Sequence, residues 1–191
     1  MRRLDGLLRL LSDVSLVRVQ LPPLLEWLES PIVYEEVSSV TERIRSLSSH
    51  TFLPKSCMYH YLHMAKGNYR EYLQGSLVKI KKYFYVLRPI LACGWIEKYN
   101  SMPPMEFDAL VRELVPEGSE LRHNIERLLE RKRSGEELDV ECRIPSINAY
   151  LEDRIEHYER TAVHLRSPAG QQRQDQELDK LFRSALQEVW V

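Results

Sequence analysis

The residues best suited to chemistry lie between Lys66 and Arg88. That stretch holds six basic side chains, Lys66, Arg70, Lys79, Lys81, Lys82 and Arg88, and one acid, Glu71. Aromatic residues are interleaved with them: Tyr69, Tyr72, Tyr83, Phe84 and Tyr85. Lysine and arginine bind phosphate by charge, and aromatic rings stack on bases. On one expected helix Lys81, Tyr85 and Arg88 fall at i, i+4, i+7 and share a face, distinct from the apolar Ile80, Phe84, Leu87 face. On the preceding one His63, Lys66 and Arg70 fall at i, i+3, i+7. The spacing predicts two basic faces that form a positive cleft for a polyphosphate or a nucleic-acid backbone. The alternative is a solvated basic surface balanced by the acidic helices after residue 97.

Other groupings carry less. Cys57, His60 and His63 stand at i, i+3, i+6. Three ligands over that span sweep too wide an arc for one tetrahedral metal, so structural histidines and a buried thiol are expected. Asp139 and Glu141 form a D-x-E whose carboxylates, on a strand, would point the same way and suit two-metal phosphoryl transfer. A charged turn produces that spacing by chance. There is no G-x-S-x-G, H-E-x-x-H, Walker A or G-x-G-x-x-G sequence.

The elements that must position these residues read as helical, giving an all-α fold class, a multi-helix bundle. Leu4, Leu7, Leu8 and Leu11 make one apolar stripe. Residues 14–20 are β-rich and predict a short strand or extended segment. Pro22 and Pro23 open a short helix, and residues 35–48 read as another. Pro54 opens a helix stopped at Gly75, with Met58, Tyr61, Leu62, Ala65, Tyr69 and Tyr72 inward. A helix over 77–99 is expected to kink near Pro89. Residues 106–114 and 118–133 predict two more, 138–144 an extended segment, and Pro145 a helix to about residue 165. Residues 167–177 read as a loop and 178–191 as a last amphipathic helix. The expected division is therefore 1–21, an N-terminal segment or linker-helix remnant; 22–166, the main helical domain; the loop; and the C-terminal helix.

The chain has 191 residues, enough for one sizeable core. With 43% hydrophobic and 29% charged residues it is not a long disordered chain. Its net charge of −1 supplies no global field to attract nucleic acid. Three widely spaced cysteines and no C-x-x-C fit free thiols in a reducing cytoplasm. Asp5, Arg9 and Asp13 interrupt the N-terminal apolar run and speak against a signal peptide. No run approaches the length of a membrane span, so no membrane partner is expected.

Four strings carry a family resemblance: PPLLEWLESPIVY (22–34), MYHYLHMAKGNYREYLQG (58–75), KKYFYVLRPILACGWIEKYNSMPPMEFDAL (81–110) and RIPSINAYL (143–151). They resemble, in order and over about residues 20–165, the helical half of a predicted nucleotidyltransferase family of the DNA-polymerase-β superfamily. Residues 13–21 look aberrant against it. The resemblance implies transfer of a nucleoside monophosphate from a nucleoside triphosphate to an acceptor, with nucleic acid expected. It also implies Mg²⁺ for the complete enzyme. The superfamily's catalytic half carries a Gly-Ser turn followed by D-x-D. Gly75-Ser76 and Gly118-Ser119 are not followed by one, and no D-x-D occurs. This chain alone is therefore not expected to hold metal or to catalyse.

The residues expected to bind substrate or phosphate are His60, His63, Lys66, Asn68, Tyr69, Arg70, Lys81, Lys82, Tyr85 and Arg88. Partners expected are a nucleotide or RNA/DNA phosphate, and a separate catalytic subunit or a second copy bound through exposed apolar surface. Leu16, Val17 and Trp27 could cover that surface instead. A non-catalytic protein-interaction or regulatory module is the alternative. An independent enzyme using Asp139 and Glu141 is a third reading.

Overall fold

The computed structural model describes residues 52–164 continuously, together with Glu42, Arg43, Ser46, Lys180, Arg183 and Ser184. Residues 57–164 fall within one compact unit, and the isolated positions belong to another. Those six isolated residues are all helical, and Arg43 donates a hydrogen bond to the Ser184 hydroxyl. The extended segment expected at 14–20 and the expected helices at 4–11 and 22–30 lie outside the described residues.

Five helices and one two-stranded ribbon make up the described fold, which is mostly helical. Helix α1 spans Pro54–Tyr72. Proline suits its first turn because N–H groups there have no intrahelical acceptor to lose. Cys57, Met58, Tyr61, Leu62, Ala65 and Tyr69 form its buried stripe at helical spacing. Tyr72, expected inward, is half-exposed. At Gly75 an added Cβ would lie 3.0 Å from the Leu77 carbonyl oxygen, so close approach of the backbone explains the glycine.

Residues 77–81 correct the expectation of one helix over 77–99. Strand β1, Leu77–Lys79, pairs antiparallel with β2, Val140–Cys142, in the register Leu77↔Cys142, Val78↔Glu141, Lys79↔Val140. Bonds from Ile80 N–H to Asp139 and from Arg143 N–H to Ser76 extend the ribbon, both at 3.0 Å. Val78 and Ile80 are both buried while Leu77 and Lys79 are exposed. An extended backbone puts alternate residues on one side, whereas a helix would set Val78 and Ile80 on opposite faces. The predicted extension at 138–144 is the partner strand.

Helix α2, Lys82–Tyr99, continues through Pro89 and ends at Asn100, whose φ of 50° closes the last turn in the left-handed region. Half of its residues are buried, because it lies centrally against α3 (Phe107–Leu114) and α5 (Pro145–His164). Gly94 permits that closeness: a Cβ there would sit 2.9 Å from the Tyr158 hydroxyl and 3.5 Å from Leu114 Cδ1. Helix α4, Glu120–Arg133, packs on α5 and is capped by Ser119, whose hydroxyl accepts from Arg122 N–H at 3.1 Å. The Arg122 side chain donates to the Val111 and Val115 carbonyls at 3.2 Å, satisfying carbonyls at the end of α3. No helix among the described residues is long and apolar enough to cross a membrane.

One buried amide ties these elements together. Asn148 Nδ2 donates to the Leu73 carbonyl at 2.8 Å, beyond the end of α1. Its Oδ1 accepts from the Tyr83 hydroxyl on α2. That hydroxyl in turn accepts from Ile144 N–H at 2.8 Å, where β2 leads into α5. Tyr83→Phe strands Asn148 Oδ1 and the Ile144 N–H. A loss of about 1–3 kcal/mol per orphaned buried group is expected, read as a lower urea midpoint with unchanged slope. An unchanged midpoint would refute a structural role for this hydroxyl.

Candidate functional site

The last turns of α1 and the middle of α5 line an open cavity of about 590 Å³. Its α1 wall carries His63, Lys66, Tyr69 and Arg70, and its α5 wall Glu152, Ile155, Glu156 and Glu159. Glu152, Glu156 and Glu159 recur at i, i+4, i+7, so they form one acidic stripe facing the basic one. The cavity is thus of mixed charge, where the sequence predicted a positive cleft. Lys66 pairs with Glu159. Glu156 lies 3.7 Å from Arg160. Arg70 has no ion pair among the described residues and is exposed. The acidic wall holds none of the residues predicted for the site, although its i, i+4, i+7 spacing is present in residues 152–159.

Tyr69 connects this cavity to the core. Its hydroxyl donates to the Glu152 carboxylate and lies 3.5 Å from Asn148 Nδ2. Each hydroxyl has one proton to give, so the chain from Ile144 N–H through Tyr83, Asn148 and Tyr69 to Glu152 has one direction. Burial first, and the bond to Glu152 second, push the Tyr69 hydroxyl up to about 12.

The other predicted site residues are dispersed. His60 is half-buried, edge-on to the Tyr61 ring. Asn68 Nδ2 donates to the Met64 carbonyl of its own helix at 3.0 Å. Arg88 is half-buried and donates to Met105 Sδ at 3.3 Å. Lys81 is exposed at the start of α2. Lys82 and Tyr85 form a second cluster with two residues the sequence reading had not placed in a site, Tyr72 and Lys79. The Lys82 ammonium lies 4.0 Å from the Tyr72 ring centre and 4.6 Å from that of Tyr85, and Lys79 lies 5.5 Å from Tyr72. None of Lys81, Lys82, Tyr85 and Arg88 lines the mixed-charge cavity.

Among the described residues metal chemistry finds no donor set. Cys57 is buried and His63 exposed, on different faces of α1. Glu141 forms a two-pronged pair with Arg131, at 3.1 and 2.5 Å, which holds its carboxyl below the usual range. Among the described residues no three His, Cys, Asp or Glu side chains converge to hold a metal ion. The magnesium ions that the resemblance implies for the complete enzyme therefore do not fit the residues described.

A helical unit bearing a charged cavity and a separate lysine–tyrosine cluster is what the geometry defines. The chain belongs to the RNA repair pathway DNA polymerase beta family (RlaP), which it matches over residues 13–184. This family falls within the nucleotidyltransferase-like polymerase-β superfamily. The match takes in residues 13–21 and extends past 165. The chain is 51% identical over 169 residues to the uncharacterized protein YcgL of Bacillus subtilis. The alignment covers 88% of this chain and 64% of that protein, so the chain spans under two thirds of the relative's length. No solved structure matches it.

The Tyr69 hydroxyl provides a spectroscopic handle on the cavity. In the folded chain it remains protonated above the ordinary tyrosine value of 10. Its contribution to stability is complete below about pH 10 and is lost as pH rises through about 12. Absorbance titration at 295 nm, with Tyr69→Phe to assign the step, should give a Tyr69 midpoint near 12. Glu152→Gln should lower that midpoint without returning it to the ordinary value, because burial remains. A midpoint insensitive to Glu152→Gln would refute the link.

Proposed function

We propose that this chain is the helical substrate-binding part of a nucleotidyltransferase. The complete enzyme transfers a nucleoside monophosphate from a nucleoside triphosphate to a nucleic-acid acceptor. The observation that carries this reading is the pairing, in one cavity, of Arg70, which has no ion pair among the described residues, with a wall of carboxylates. Arg70, with Lys66 and His63 beside it, suits phosphate oxygens. Glu152 and Glu156 suit the donor hydroxyls of a ribose. A volume of about 590 Å³ lies within the range of small-molecule sites. The three glutamates oppose a polyanion placed deep in the cavity, so the phosphates belong at the α1 wall and the sugar at the α5 wall.

Family membership supports the reaction class. The metal-binding carboxylates come from a separate catalytic part, and the described helices alone do not catalyse. A second reading, a protein-interaction module, is favoured by Leu77 and Val140, which are 62% and 51% exposed on the ribbon.

Calorimetric titration with ATP, GTP, CTP and UTP, with and without Mg²⁺, tests the nucleotide reading. At least one nucleotide should bind, more weakly as salt rises, and Arg70→Glu should weaken it at least about tenfold, the loss of one charged hydrogen bond. If no nucleotide binds, or if Arg70→Glu changes nothing, the cavity is not a nucleotide site.

A further inference from the structure

We propose that the surface formed by Tyr72, Lys79, Lys82 and Tyr85 with the outer face of the ribbon is a binding path for single-stranded nucleic acid. This inference deepens the nucleotidyltransferase reading, on which it rests, by placing the acceptor strand beside the mixed-charge cavity and not within it.

The Lys82 ammonium lies between two tyrosine rings, 4.0 and 4.6 Å from their centres. Lys79 approaches Tyr72 from the ribbon at 5.5 Å. Tyr85 is 56% exposed. Base stacking on a ring outweighs an exposed cation–π contact, so a base displaces the lysine from the ring. The freed ammonium then faces the phosphate that follows the base. Stacking and charge thereby come from the same side chains.

The ribbon continues the surface. Alternation along the strands puts Leu77, Lys79, Val140 and Cys142 on one outward face. Leu77 and Val140 are exposed there beside Lys79. On the adjoining side of α2, Lys132 covers the Phe84 ring at 4.8 Å. Glu71 is an acid at this edge, and Asp139 is another at the end of the ribbon. Lys79, Lys82 and Lys132 each lie on an aromatic ring here, a pattern that complements a phosphodiester chain.

Single strands are the class that fits. Bases within a duplex are stacked on each other and cannot reach tyrosine rings. A peptide partner would use Leu77 and Val140 but has no need of an ammonium held between two tyrosines.

The test is fluorescence anisotropy of the full chain with labelled 12-nucleotide uridine RNA, the corresponding DNA strand, and an RNA duplex, at several salt concentrations. Single strands should bind more tightly than the duplex, and their affinity should fall with salt. Tyr85→Ala should weaken single-strand binding about tenfold. Lys82→Gln should lower the logarithmic salt slope by about 0.7. Tighter binding of RNA than DNA assigns the path to RNA, and equal binding assigns it to single strands generally; both support it. Absent strand binding, equal binding of the duplex, or affinity indifferent to both variants would overturn it. So would self-association abolished by Leu77→Lys in a chain that binds no strand, which makes the face a protein interface. Nucleotide titration of the same preparations separates the two ideas. Nucleotide binding without strand binding removes this path and keeps the cavity, and the reverse removes the cavity and keeps the path.

Discussion

The side-chain amide of Asn148 is the constraint on which the described fold turns. Among the described residues it is the buried polar one, 3% exposed. Apolar contacts tolerate small slips between helices, because burial is nearly indifferent to direction. Hydrogen bonds are not indifferent. Asn148 accepts from α2 through Tyr83 and donates to the chain just beyond α1 at Leu73. Each partner has one geometry, and leaving any unmade costs about 1–3 kcal/mol. The amide therefore fixes how the end of α1, the start of α2 and the start of α5 meet.

Both charged regions follow from that junction. With the ends of α1 and α5 held together, the His63–Lys66–Arg70 stripe lies along the Glu152–Glu156–Glu159 stripe. The one ion pair across them, Lys66 to Glu159, is exposed at both ends, and such pairs contribute at most about 1 kcal/mol. The opposed charges thus add little to stability and can be exchanged for a ligand at small cost. The same junction holds the ribbon, because Ile144, which follows β2, is bonded to Tyr83. The ribbon and the first turn of α2 then bring Lys79 and Lys82 over Tyr72.

Much of this was legible in the residues. Pro54 and Pro145 mark helix starts by local chemistry, and apolar periodicity gives the inward face of α1. Residues 77–81 were not legible as a strand. Their partner lies about sixty residues away, and an apolar run this short fits either period. For the site, the α1 stripe could be read from spacing, but its opposite wall could not. Glu152, Glu156 and Glu159 look like a solvated face until it is known which helix packs beside them. Asn148 lies within the helix expected from Pro145, and only the packing of Tyr83 and Leu73 makes it a junction.

The separation of the two regions has a physical logic in a chain of net charge −1. Without a positive field over the whole surface, a long polyanion must be held by local contacts. A cavity with three carboxylates suits a small molecule that carries both anionic and hydroxyl groups, and it repels an extended phosphate chain. Lysines laid on tyrosines suit the extended chain. The two meet at one turn of α1: Tyr69 lines the cavity, and Tyr72 lies beneath Lys82. Three residues advance a helix by about 4.5 Å, so the two tyrosines are neighbours along one face. On the proposed reading, the nucleotide and the acceptor strand approach each other across that turn. The directional chain from Asn148 to Glu152 holds Tyr69 in place, and on that reading Tyr69 is the boundary between them.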